Sequence, residues 1–454
     1  GLETSQKKFA VNEIDTILLA MPNAEFKVRE RIFDVLAEVP IKVKSIPDLA
    51  SLISGKADIS EFREIDIIDL LGRKPAKPDP LLLAKTITGK TVLVTGAGGS
   101  IGSELCRQIA MWTPAHLLAL DLSEFAIYSL VQELEKMHPS LSITPIIASV
   151  QDQSFVNKVM GAFTVDTIYH AAAYKHVPLM EQNVMQCISN NVFGTLNLAT
   201  AAVAAKVKHF ILVSTDKAVN PTNFMGASKR LAELVCKDLA KRESTTKFGI
   251  VRFGNVLGSS GSVVPYFKQQ ISAGGPVTVT HIDVTRYFMT IPEAAQLVIQ
   301  AGAMAKHGDI FVLDMGKPIK ILDLAKKMIT LGGKNPVLEH ERAIGKNDIM
   351  IRIIGLRPGE KMFEELSYSS NMTGTSHERI MITDDDIQLA QNLEKILNNL
   401  LHAIATDDHQ ALVKIVKEVF EGVLSKEGSS DVFSHNLNNN KTIIFKQIGS
   451  SSKS

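Results

Sequence analysis

Cysteine is rare in this sequence of 454 residues: only Cys106, Cys187 and Cys236 occur, far apart and in no Cys-x-x-Cys pair. An odd, scattered set excludes a disulfide scaffold or a zinc ribbon and favours a reducing cytoplasm. No apolar run reaches the ~18 residues of a membrane span, and no basic segment precedes an apolar leader, so membrane-spanning and secreted proteins are disfavoured for the chain as given. The 49 Lys and Arg residues balance 48 Asp and Glu residues, and the net charge of +1 gives no electrostatic case for a nucleic-acid partner.

The remaining composition is that of a globular protein, with 45% apolar and 21% charged residues, and the length predicts about three domains. Residues 1–71 show one strand–helix–strand pattern and are predicted to form a small α/β domain, and prolines make residues 72–82 a linker. Residues 83–258 are predicted to form the main domain, and residues 259–425 a smaller lobe with C-terminal helices. The Ser- and Asn-rich residues 426–454 are expected to form a flexible tail.

Short apolar strands alternate with amphipathic helical stretches in the main domain. The predicted strands are 91–95, 117–121, 144–150, 167–173, 210–215 and 249–256. Continuous apolar strands joined by helices are typical of a parallel sheet that is covered on both faces. We therefore expect an α/β fold with a doubly wound parallel sheet of the Rossmann type and a smaller substrate-binding lobe. Whether the chain after residue 258 re-enters this sheet stays open.

A glycine-rich turn lies directly between the first of these strands and a helical stretch. Its Gly-x-x-Gly-x-x-Gly spacing lets the backbone approach a pyrophosphate at a helix N-terminus. The residues expected to contact such a cofactor are Gly96, Gly98, Gly99, Ser100, Ile101 and Gly102. Asp121 ends the next strand, 19 residues after Gly102, and a carboxylate there binds ribose hydroxyls and repels a 2′-phosphate. The pattern predicts a dinucleotide site that prefers NAD to NADP.

Two further strand ends are candidates for the same site. Asp152 follows the strand at 144–150, where its carboxylate either contacts adenine or caps the next helix, and the sequence leaves both alternatives open. Ala171, Ala172 and Ala173 close the strand that begins at residue 167. Their small side chains would let a cofactor lie close to the sheet, although alanines also serve simply for packing.

The glycine-rich turn resembles that of the extended short-chain dehydrogenase/reductase family. Its members usually carry a Tyr-x-x-x-Lys pair, in which the tyrosine exchanges a proton with a substrate hydroxyl while the lysine lowers the tyrosine pKa and holds the nicotinamide ribose. Here Lys229 is in place, but Met225 occupies the tyrosine position. A thioether is neither an acid nor a base at neutral pH. Either the protein binds a cofactor without catalysis, or other residues move the protons.

Thr215, Asp216 and Lys217 are the candidates for that proton chemistry. They lie at the end of the apolar run at 210–215, at the carboxyl edge where open α/β sheets bind their ligands. A hydroxyl, a carboxylate and an amine in succession provide both an acid and a base. In isolation, the same residues would be read as a solvated turn.

Four segments, residues 169–178, 213–218, 220–229 and 356–361, are similar to those of the nucleotide-sugar 4,6-dehydratases of bacterial surface-glycan synthesis. The sequence best resembles their long, membrane-anchored branch, which acts on UDP-N-acetylglucosamine and carries methionine at the tyrosine position. Members of that branch begin with transmembrane helices, so the resemblance implies a soluble truncated form of an enzyme from the cytoplasmic face of the inner membrane. It also implies a UDP-sugar substrate and a homodimer or higher homo-oligomer.

The resemblance implies a redox-neutral lyase reaction. NAD⁺ takes a hydride from C4 of the sugar, the resulting ketone acidifies the C5 proton, water leaves from C6, and the hydride returns to C6. Lys217 is then expected to take the C5 proton, Asp216 to protonate the leaving hydroxyl, and Thr215 to pass the C4 hydroxyl proton towards Asp216. Burial and nearby positive charge are expected to lower the pKa of Lys217. Two nearby lysines should keep Asp216 ionised, which conflicts with its role as an acid unless it gains a proton earlier in the cycle.

The substrate contacts implied by the resemblance are Lys175, Asn255, Arg286 and Arg357. The two arginines would bind the diphosphate, because a guanidinium fork matches phosphate oxygens, and segment 252–255 would lie near the sugar nucleotide. No metal site is expected, since His170 and His176 have no further ligands around them. A C4 epimerase, which would normally keep the tyrosine, and a non-catalytic NAD or nucleotide-sugar binding protein are the alternatives.

Overall fold

The computed structural model describes residues 14–46 except 20, 22, 23 and 25, residues 63–64, and residues 76–421 except 243, 244, 260, 342–344, 369–371 and 386–391. Part of the predicted linker and all of the predicted tail lie outside the described residues. The N-terminal elements are β1 (Thr16–Leu19), α1 (Phe26–Leu36), β2 (Lys42–Ser45) and β3 (Arg63–Glu64). β1 and β2 pair in parallel and β3 is antiparallel to β2, in agreement with the strand–helix–strand pattern of the sequence.

The next stretch contributes most of the main sheet. Its strands are β4 (Thr91–Thr95), β5 (His116–Asp121), β6 (Ile143–Ile147), β7 (Thr167–His170), β8 (His209–Val213) and β9 (Lys247–Arg252). Its helices are α2 (Pro80–Lys85), α3 (Ser100–Met111), α4 (Glu124–Met137), α5 (Gln153–Ala162), α6 (Val177–Met180), α7 (Val184–Ile188), α8 (Gly194–Ala204) and α9 (Phe224–Arg242). A π-helical turn, Ser189–Phe193, joins α7 to α8, and a 3-10 turn, Asp216–Ala218, follows β8.

The remaining elements are shorter and less regular. The strands are β10 (Asn255–Val256), β11 (Val277–Val279), β12 (Thr285–Arg286), β13 (Phe288–Met289), β14 (Asp309–Leu313), β15 (Ile319–Lys320), β16 (Asn335–Leu338), β17 (Asp348–Ile353), β18 (Met372–Gly374) and β19 (Ile380–Thr383). The helices are α10 (Val263–Ser272), α11 (Ile291–Met304), α12 (Ile321–Leu331), α13 (Leu393–Ala405) and α14 (His409–Val419).

Two helix boundaries differ from the sequence pattern for local reasons. α2 begins inside the predicted linker, because the Asp79 carboxylate accepts a hydrogen bond from Leu81 N at 2.9 Å and proline is well suited to the first helical position. The C-terminal helical region predicted before residue 425 contains two described helices, α13 and α14. They are separated at Asp407, whose φ of 54° is left-handed, and Asp408 caps α14 through Ala411 N.

The main sheet has nine strands in the order β18-β19-β14-β9-β8-β7-β4-β5-β6. The strands from β14 to β6 are parallel, and β19 and β18 add an antiparallel edge. Helices cover both faces, with one core around Leu105 and Ile109 of α3 and the other around Leu198 of α8. This is the predicted α/β architecture of the Rossmann type. The order in which the chain adds strands to the sheet reverses between the neighbouring parallel strands β4 and β7. Such a reversal opens a crevice at the carboxyl ends of the strands.

Residues after 258 form a smaller lobe and also extend the main sheet. β11, β17 and β16 form a three-stranded sheet on which α10 and α12 pack, with Phe267 and Ile329 in its core. β14, β18 and β19 return to the main sheet, and α13 and α14 pack on α7 and α9. Among the described helices, none has the length and apolarity that crossing a membrane requires.

Candidate active site

A cavity of about 1010 Å³ lies between the carboxyl edge of the main sheet and the smaller lobe. The sequence-predicted residues that line it are Gly96, Gly99, Ser100, Ile101, Gly102, Ala171, Ala173, Lys175, Thr215, Lys217, Met225, Lys229, Asn255, Arg286 and Arg357. The predicted residues outside its wall are Gly98, Asp121, Asp152, Ala172 and Asp216. The fold therefore brings together candidates that are as much as 261 residues apart, from Gly96 to Arg357.

The glycine-rich turn is shaped by close contacts of its backbone. Gly96 has a φ of 70°, and a Cβ there would lie 2.6 Å from Ala172 N. A Cβ on Gly102 would lie 1.9 Å from Gly96 O, and one on Gly98 would lie 2.6 Å from Ala126 Cβ. No side chain caps the N-terminus of α3, which follows Gly99. A pyrophosphate fits such a turn, because the backbone can approach it and helix N-terminal amides favour an anion.

Asp121 lies beside this turn, at the end of β5. Its Oδ2 accepts a hydrogen bond from Gly98 N at 2.9 Å, and its Oδ1 accepts one from Ser123 N at 2.9 Å. The carboxylate thus holds the glycine-rich turn and keeps lone pairs for further donors. Asp152 accepts a hydrogen bond from Phe155 N at 2.9 Å and caps α5, which is the second of the two alternatives for this residue.

The alanines after β7 divide between the cavity and the core. Ala171 and Ala173 line the cavity, whereas Ala172 packs against the core on one face of the sheet. Ala171 N donates a hydrogen bond to Thr95 O at 3.0 Å, which holds this segment against the glycine-rich turn. Small side chains are required here, since a larger group would fill the space beside Gly96.

Thr215, Asp216 and Lys217 form one hydrogen-bonded group. The Thr215 hydroxyl donates to Asp216 Oδ1 at 2.8 Å, and Lys217 Nζ donates to the same oxygen at 3.0 Å. Lys217 Nζ also lies 3.2 Å from Asn255 Oδ1. Asp216 is fully buried, and its Oδ2 has no hydrogen-bond partner among the described residues. A carboxylate oxygen of this kind is able to carry a proton without breaking an existing bond.

The electrostatic environment of Lys217 differs from the sequence-based expectation. Burial lowers the pKa of Lys217, but the carboxylates of Asp216 and Glu364 outweigh burial and hold that pKa above its ordinary value. The expected decrease is therefore wrong. The sequence pattern placed positive charges around Lys217, whereas the tertiary structure surrounds it mainly with carboxylates.

Lys229 is a buried amine beside the carboxyl end of β8. Its Nζ donates a hydrogen bond to Val213 O at 2.7 Å, and burial lowers its pKa to about 8. Met225, one helical turn before it, is also buried and packs with Met180, Cys187 and Tyr174. The tyrosine position is thus filled by an apolar side chain in an apolar surrounding.

The two predicted diphosphate-binding arginines differ in burial and in the hydrogen bonds that their guanidinium groups already make. Arg286 is buried, and its Nη2 donates to Glu360 Oε1 at 2.9 Å while its Nη1 donates to Thr285 O at 2.7 Å. Arg357 is exposed at the cavity, as is Lys175. A phosphate would therefore have to share the Arg286 guanidinium with Glu360, whereas the Arg357 side chain is exposed to solvent.

Arg252 lies away from the cavity, although segment 252–255 was expected near the sugar nucleotide. Its guanidinium is fully buried and forms ion pairs with Glu233, at 2.7 Å, and with Asp385. Asn255, at the other end of this segment, does line the cavity. Contact with a sugar nucleotide therefore stays a prediction for Asn255, whereas it is wrong for Arg252, whose guanidinium is held in the protein interior by Glu233 and Asp385.

The sequence pattern did not identify Glu364, and the structure also shows the contacts that Asn191 makes beside the cavity. Glu364 Oε1 lies 3.6 Å from Lys217 Nζ, and no local pattern signals a contact between residues so far apart in the chain. Asn191, on the π-helical turn, accepts a hydrogen bond from Tyr174 N at 2.8 Å and donates one to Tyr174 O at 3.0 Å. Such turns frequently occur at functional sites, but they cannot be read from sequence periodicity.

The described residues contain no group of three or more His, Cys, Asp or Glu side chains that could hold a metal ion. His170 is buried between two threonines, with Nδ1 2.7 Å from Thr95 Oγ1 and Nε2 2.9 Å from Thr195 Oγ1. Burial lowers the pKa of His170 to about 3, so the imidazole is neutral, and its hydrogen bonds connect the end of β4 to α8.

The sheet, the helices on both its faces and the glycine-rich turn at its carboxyl edge define a Rossmann-type α/β protein of the short-chain dehydrogenase/reductase class. Residues 92–385 match the family model described as "Polysaccharide biosynthesis protein", and the chain belongs to this family.

The curated relatives extend over most of this chain. The capsular polysaccharide biosynthesis protein CapD of Staphylococcus aureus is 48% identical over 361 residues, which are 79% of this chain and 58% of CapD. A UDP-glucose 4-epimerase of Rickettsia canadensis is 34% identical and covers 62% of this chain and 79% of its own. An inverting UDP-N-acetylglucosamine 4,6-dehydratase of Campylobacter jejuni is 31% identical and covers 67% of this chain and 81% of its own. The chain thus spans little more than half the length of CapD.

Solved structures share the fold. Pen from Bacillus thuringiensis is 33% identical, with a TM-score of 0.58 over 66% of this chain and 89% of Pen. The dTDP-glucose 4,6-dehydratase DesIV of Streptomyces venezuelae, solved with NAD bound, is 22% identical, with a TM-score of 0.51 over 61% of this chain and 88% of DesIV. At that identity, the likeness to DesIV shows the fold alone.

Proposed function

We propose that this chain catalyses the NAD-dependent 4,6-dehydration of UDP-N-acetylglucosamine, a lyase reaction in polysaccharide biosynthesis. The observation that carries the proposal is the Asp216–Lys217 pair: the Lys217 amine lines the cavity and lies 3.0 Å from the Asp216 carboxylate behind it, while Met225 occupies the position of the usual tyrosine. The similarity to the Campylobacter jejuni dehydratase supports the same reaction class.

NAD fits the residues that are present. The turn at Gly96–Gly102 would hold the pyrophosphate, Asp121 the adenosine ribose and Lys229 the nicotinamide ribose. The Cβ clashes at Gly96 and Gly102 support this fit, because they describe a turn with no room for side chains beside the N-terminus of α3. When bound, NAD supplies the acceptor for the hydride from C4 and later the donor of the hydride that reaches C6.

The chain's own residues would move the protons. Thr215 would accept the proton of the C4 hydroxyl while it passes its own proton to Asp216, to which it already donates at 2.8 Å. Lys217 in its neutral form would take the C5 proton. Asp216 would then give its proton to the hydroxyl that leaves C6 as water. The buried Oδ2 of Asp216 supports this order of steps, because no other described group occupies that oxygen.

Substrate contacts follow from the wall of the cavity. Asn255 and Lys175 would contact the sugar, and Arg357 would bind the diphosphate together with Arg286. Arg357 has the freer guanidinium, so we assign it the larger share of the phosphate interaction. We also propose a cytoplasmic, homo-oligomeric enzyme, and light scattering on the purified chain tests the oligomeric state.

Incubation with UDP-N-acetylglucosamine in deuterated water, followed by mass spectrometry, tests the proposal. Dehydration predicts a product that has lost the mass of water, gained a keto group and incorporated deuterium at C5. A C4 epimerase, which the Rickettsia relative makes the second candidate, would leave the elemental composition unchanged. A binding protein would retain NAD or the nucleotide sugar and produce no turnover.

A further inference from the structure

Glu364 is a buried carboxylate close to the proposed acid–base pair, although its side chain does not line the cavity. Its side chain is 4% exposed, with Oε1 3.6 Å from Lys217 Nζ and 3.8 Å from Arg286 Nε. Its Oε2 is buried and has no hydrogen-bond partner among the described residues. Burial of a carboxylate with one oxygen unsatisfied is costly, so this placement needs a compensating role.

The segment that carries Glu364 is hydrogen-bonded to the 3-10 turn Asp216–Ala218 and to the loop that follows this turn. Lys361 Nζ donates to Val219 O at 3.0 Å, Thr222 Oγ1 donates to Gly359 O at 2.9 Å, and the Tyr368 hydroxyl donates to Ala218 O at 3.1 Å. Bonds on both sides of residue 364 therefore hold its carboxylate at a set distance from Lys217.

The charges around Lys217 explain why a second carboxylate is useful. Asp216 on its own turn, Arg286 on β12 and Glu364 are the charged groups that act on the Lys217 amine, and Asn255 of β10 contributes a neutral oxygen. Asp216 must be protonated when it donates to the leaving hydroxyl, and a protonated carboxyl group no longer stabilises a cation beside it. At that moment Glu364 is the remaining carboxylate next to Lys217.

We propose that Glu364 is a positioning residue that orients the Lys217 amine and stabilises the ammonium formed when Lys217 takes the C5 proton. The inference rests on the proposed dehydration. In this step the C5–H bond breaks and its proton passes to Lys217 Nζ. The electron pair forms the C5–C6 double bond, and the C6–O bond breaks. The hydroxyl leaves as water with the Asp216 proton, so that Glu364 balances the new positive charge on Lys217.

The first test titrates Lys217 directly and needs no turnover. The rate at which an acylating reagent labels Lys217 is measured against pH by mass spectrometry of the tryptic peptides, in the full chain and in Glu364→Gln. Removal of the negative charge should move the labelling midpoint of Lys217 to lower pH by about one unit. Glu365→Gln is the matched control, because Glu365 is the adjacent, more exposed carboxylate and pairs with Lys361 instead, at 3.0 Å. In this variant the labelling midpoint of Lys217 should equal that of the wild type.

The second test measures the proton step. In Glu364→Gln, at a pH above the labelling midpoint where the Lys217 amine is neutral in both proteins, exchange of the C5 proton and kcat for dehydration should fall by roughly tenfold or more, and the limb of the kcat/KM profile that reports Lys217 should move to lower pH. Glu364→Asp keeps the negative charge but places it farther from Lys217, because the side chain is shorter. The labelling midpoint of Lys217 should therefore move to lower pH by less than in Glu364→Gln. An unchanged labelling midpoint in both variants would overturn the inference. Absence of any dehydration by the wild type would instead reject the proposed function, and the labelling experiment would still decide the coupling of Glu364 to Lys217.

Discussion

Arg252 and Asp385, 133 residues apart in the sequence, form a fully buried ion pair at the edge of the main sheet. Glu233 binds two nitrogens of the same guanidinium at 2.8 and 2.7 Å and accepts the Ser214 hydroxyl at 2.6 Å. Ser214 directly precedes Thr215, so this network connects the start of the turn formed by Thr215, Asp216 and Lys217 to α9 and to the segment after β19. It explains how a turn without regular strand pairing is held in place at the cavity.

Replacement of Asp385 by alanine should therefore destabilise the protein strongly. The change leaves the Arg252 guanidinium buried with only part of its compensating charge, and breaking a buried ion pair costs about 3–5 kcal/mol. Asp384→Ala is the control, because its side chain is exposed next to the same position. Urea unfolding followed by circular dichroism compares the two variants, and equal midpoints would contradict a structural role for the ion pair.

Two glycines in helices should respond in opposite ways to alanine. Gly102→Ala places a Cβ 1.9 Å from Gly96 O and should distort the glycine-rich turn, with loss of NAD binding. Gly161→Ala, in α5, meets no atom within 4 Å and should stabilise the helix by up to about 1 kcal/mol. Calorimetric titration with NAD and thermal unfolding measure the two effects, and normal NAD affinity in Gly102→Ala would be evidence against the turn as the cofactor site.

The pKa of Lys229 predicts a pH dependence of stability for the protein without cofactor. Burial lowers this pKa from 10.5 to about 8, so the unfolded chain binds more protons than the folded one between these values. Stability should accordingly increase with pH across that window, by up to about 3 kcal/mol from this group. The comparison is with Lys229→Met, which removes the titrating amine. The difference in unfolding midpoint between the two proteins should change in favour of the wild type as the pH rises above 8. A difference that stays constant with pH would contradict the lowered pKa of Lys229.

Asp216→Asn and Lys217→Ala should each abolish turnover of UDP-N-acetylglucosamine and leave NAD binding in place. Neither side chain belongs to the glycine-rich turn, and each is assigned one half of the acid–base pair. Product formation is followed by mass spectrometry, and bound NAD is measured after protein denaturation. Activity near that of the wild type in either variant would remove that residue from the mechanism.

Met225→Leu should retain activity within a few-fold of the wild type. The Met225 side chain is buried against Met180, Cys187 and Tyr174, so its role is packing, and a change between similar apolar side chains typically costs less than about 1.5 kcal/mol. Steady-state kinetics on the same substrate provide the measurement. A loss as large as that in Lys217→Ala would assign Met225 a role beyond packing.

The local pattern of the sequence determined much of the main sheet and the position of the glycine-rich turn. β4 at Thr91–Thr95 has the predicted bounds, because apolar periodicity and flanking turn residues are local signals. Met225 and Lys229 were identified through the resemblance to a family whose members carry a Tyr-x-x-x-Lys pair. The sheet to which β14 belongs could not be predicted. An apolar run looks the same in the sequence whether its strand lies in the smaller lobe or pairs with β9 in the main sheet, as β14 does.

Only the tertiary structure decided the charges of the site. The sequence indicated that Asp216 and Lys217 are neighbours, but not that Glu364 lies 3.6 Å from the amine and, together with Asp216, holds the pKa of Lys217 above its ordinary value despite burial. It also could not show that Arg252 is occupied by Glu233 and Asp385 or that Arg286 is paired with Glu360. Hydrophobic periodicity depends on neighbours within a few residues, whereas the electrostatic field at a side chain depends on which distant segments the fold brings within a few ångströms.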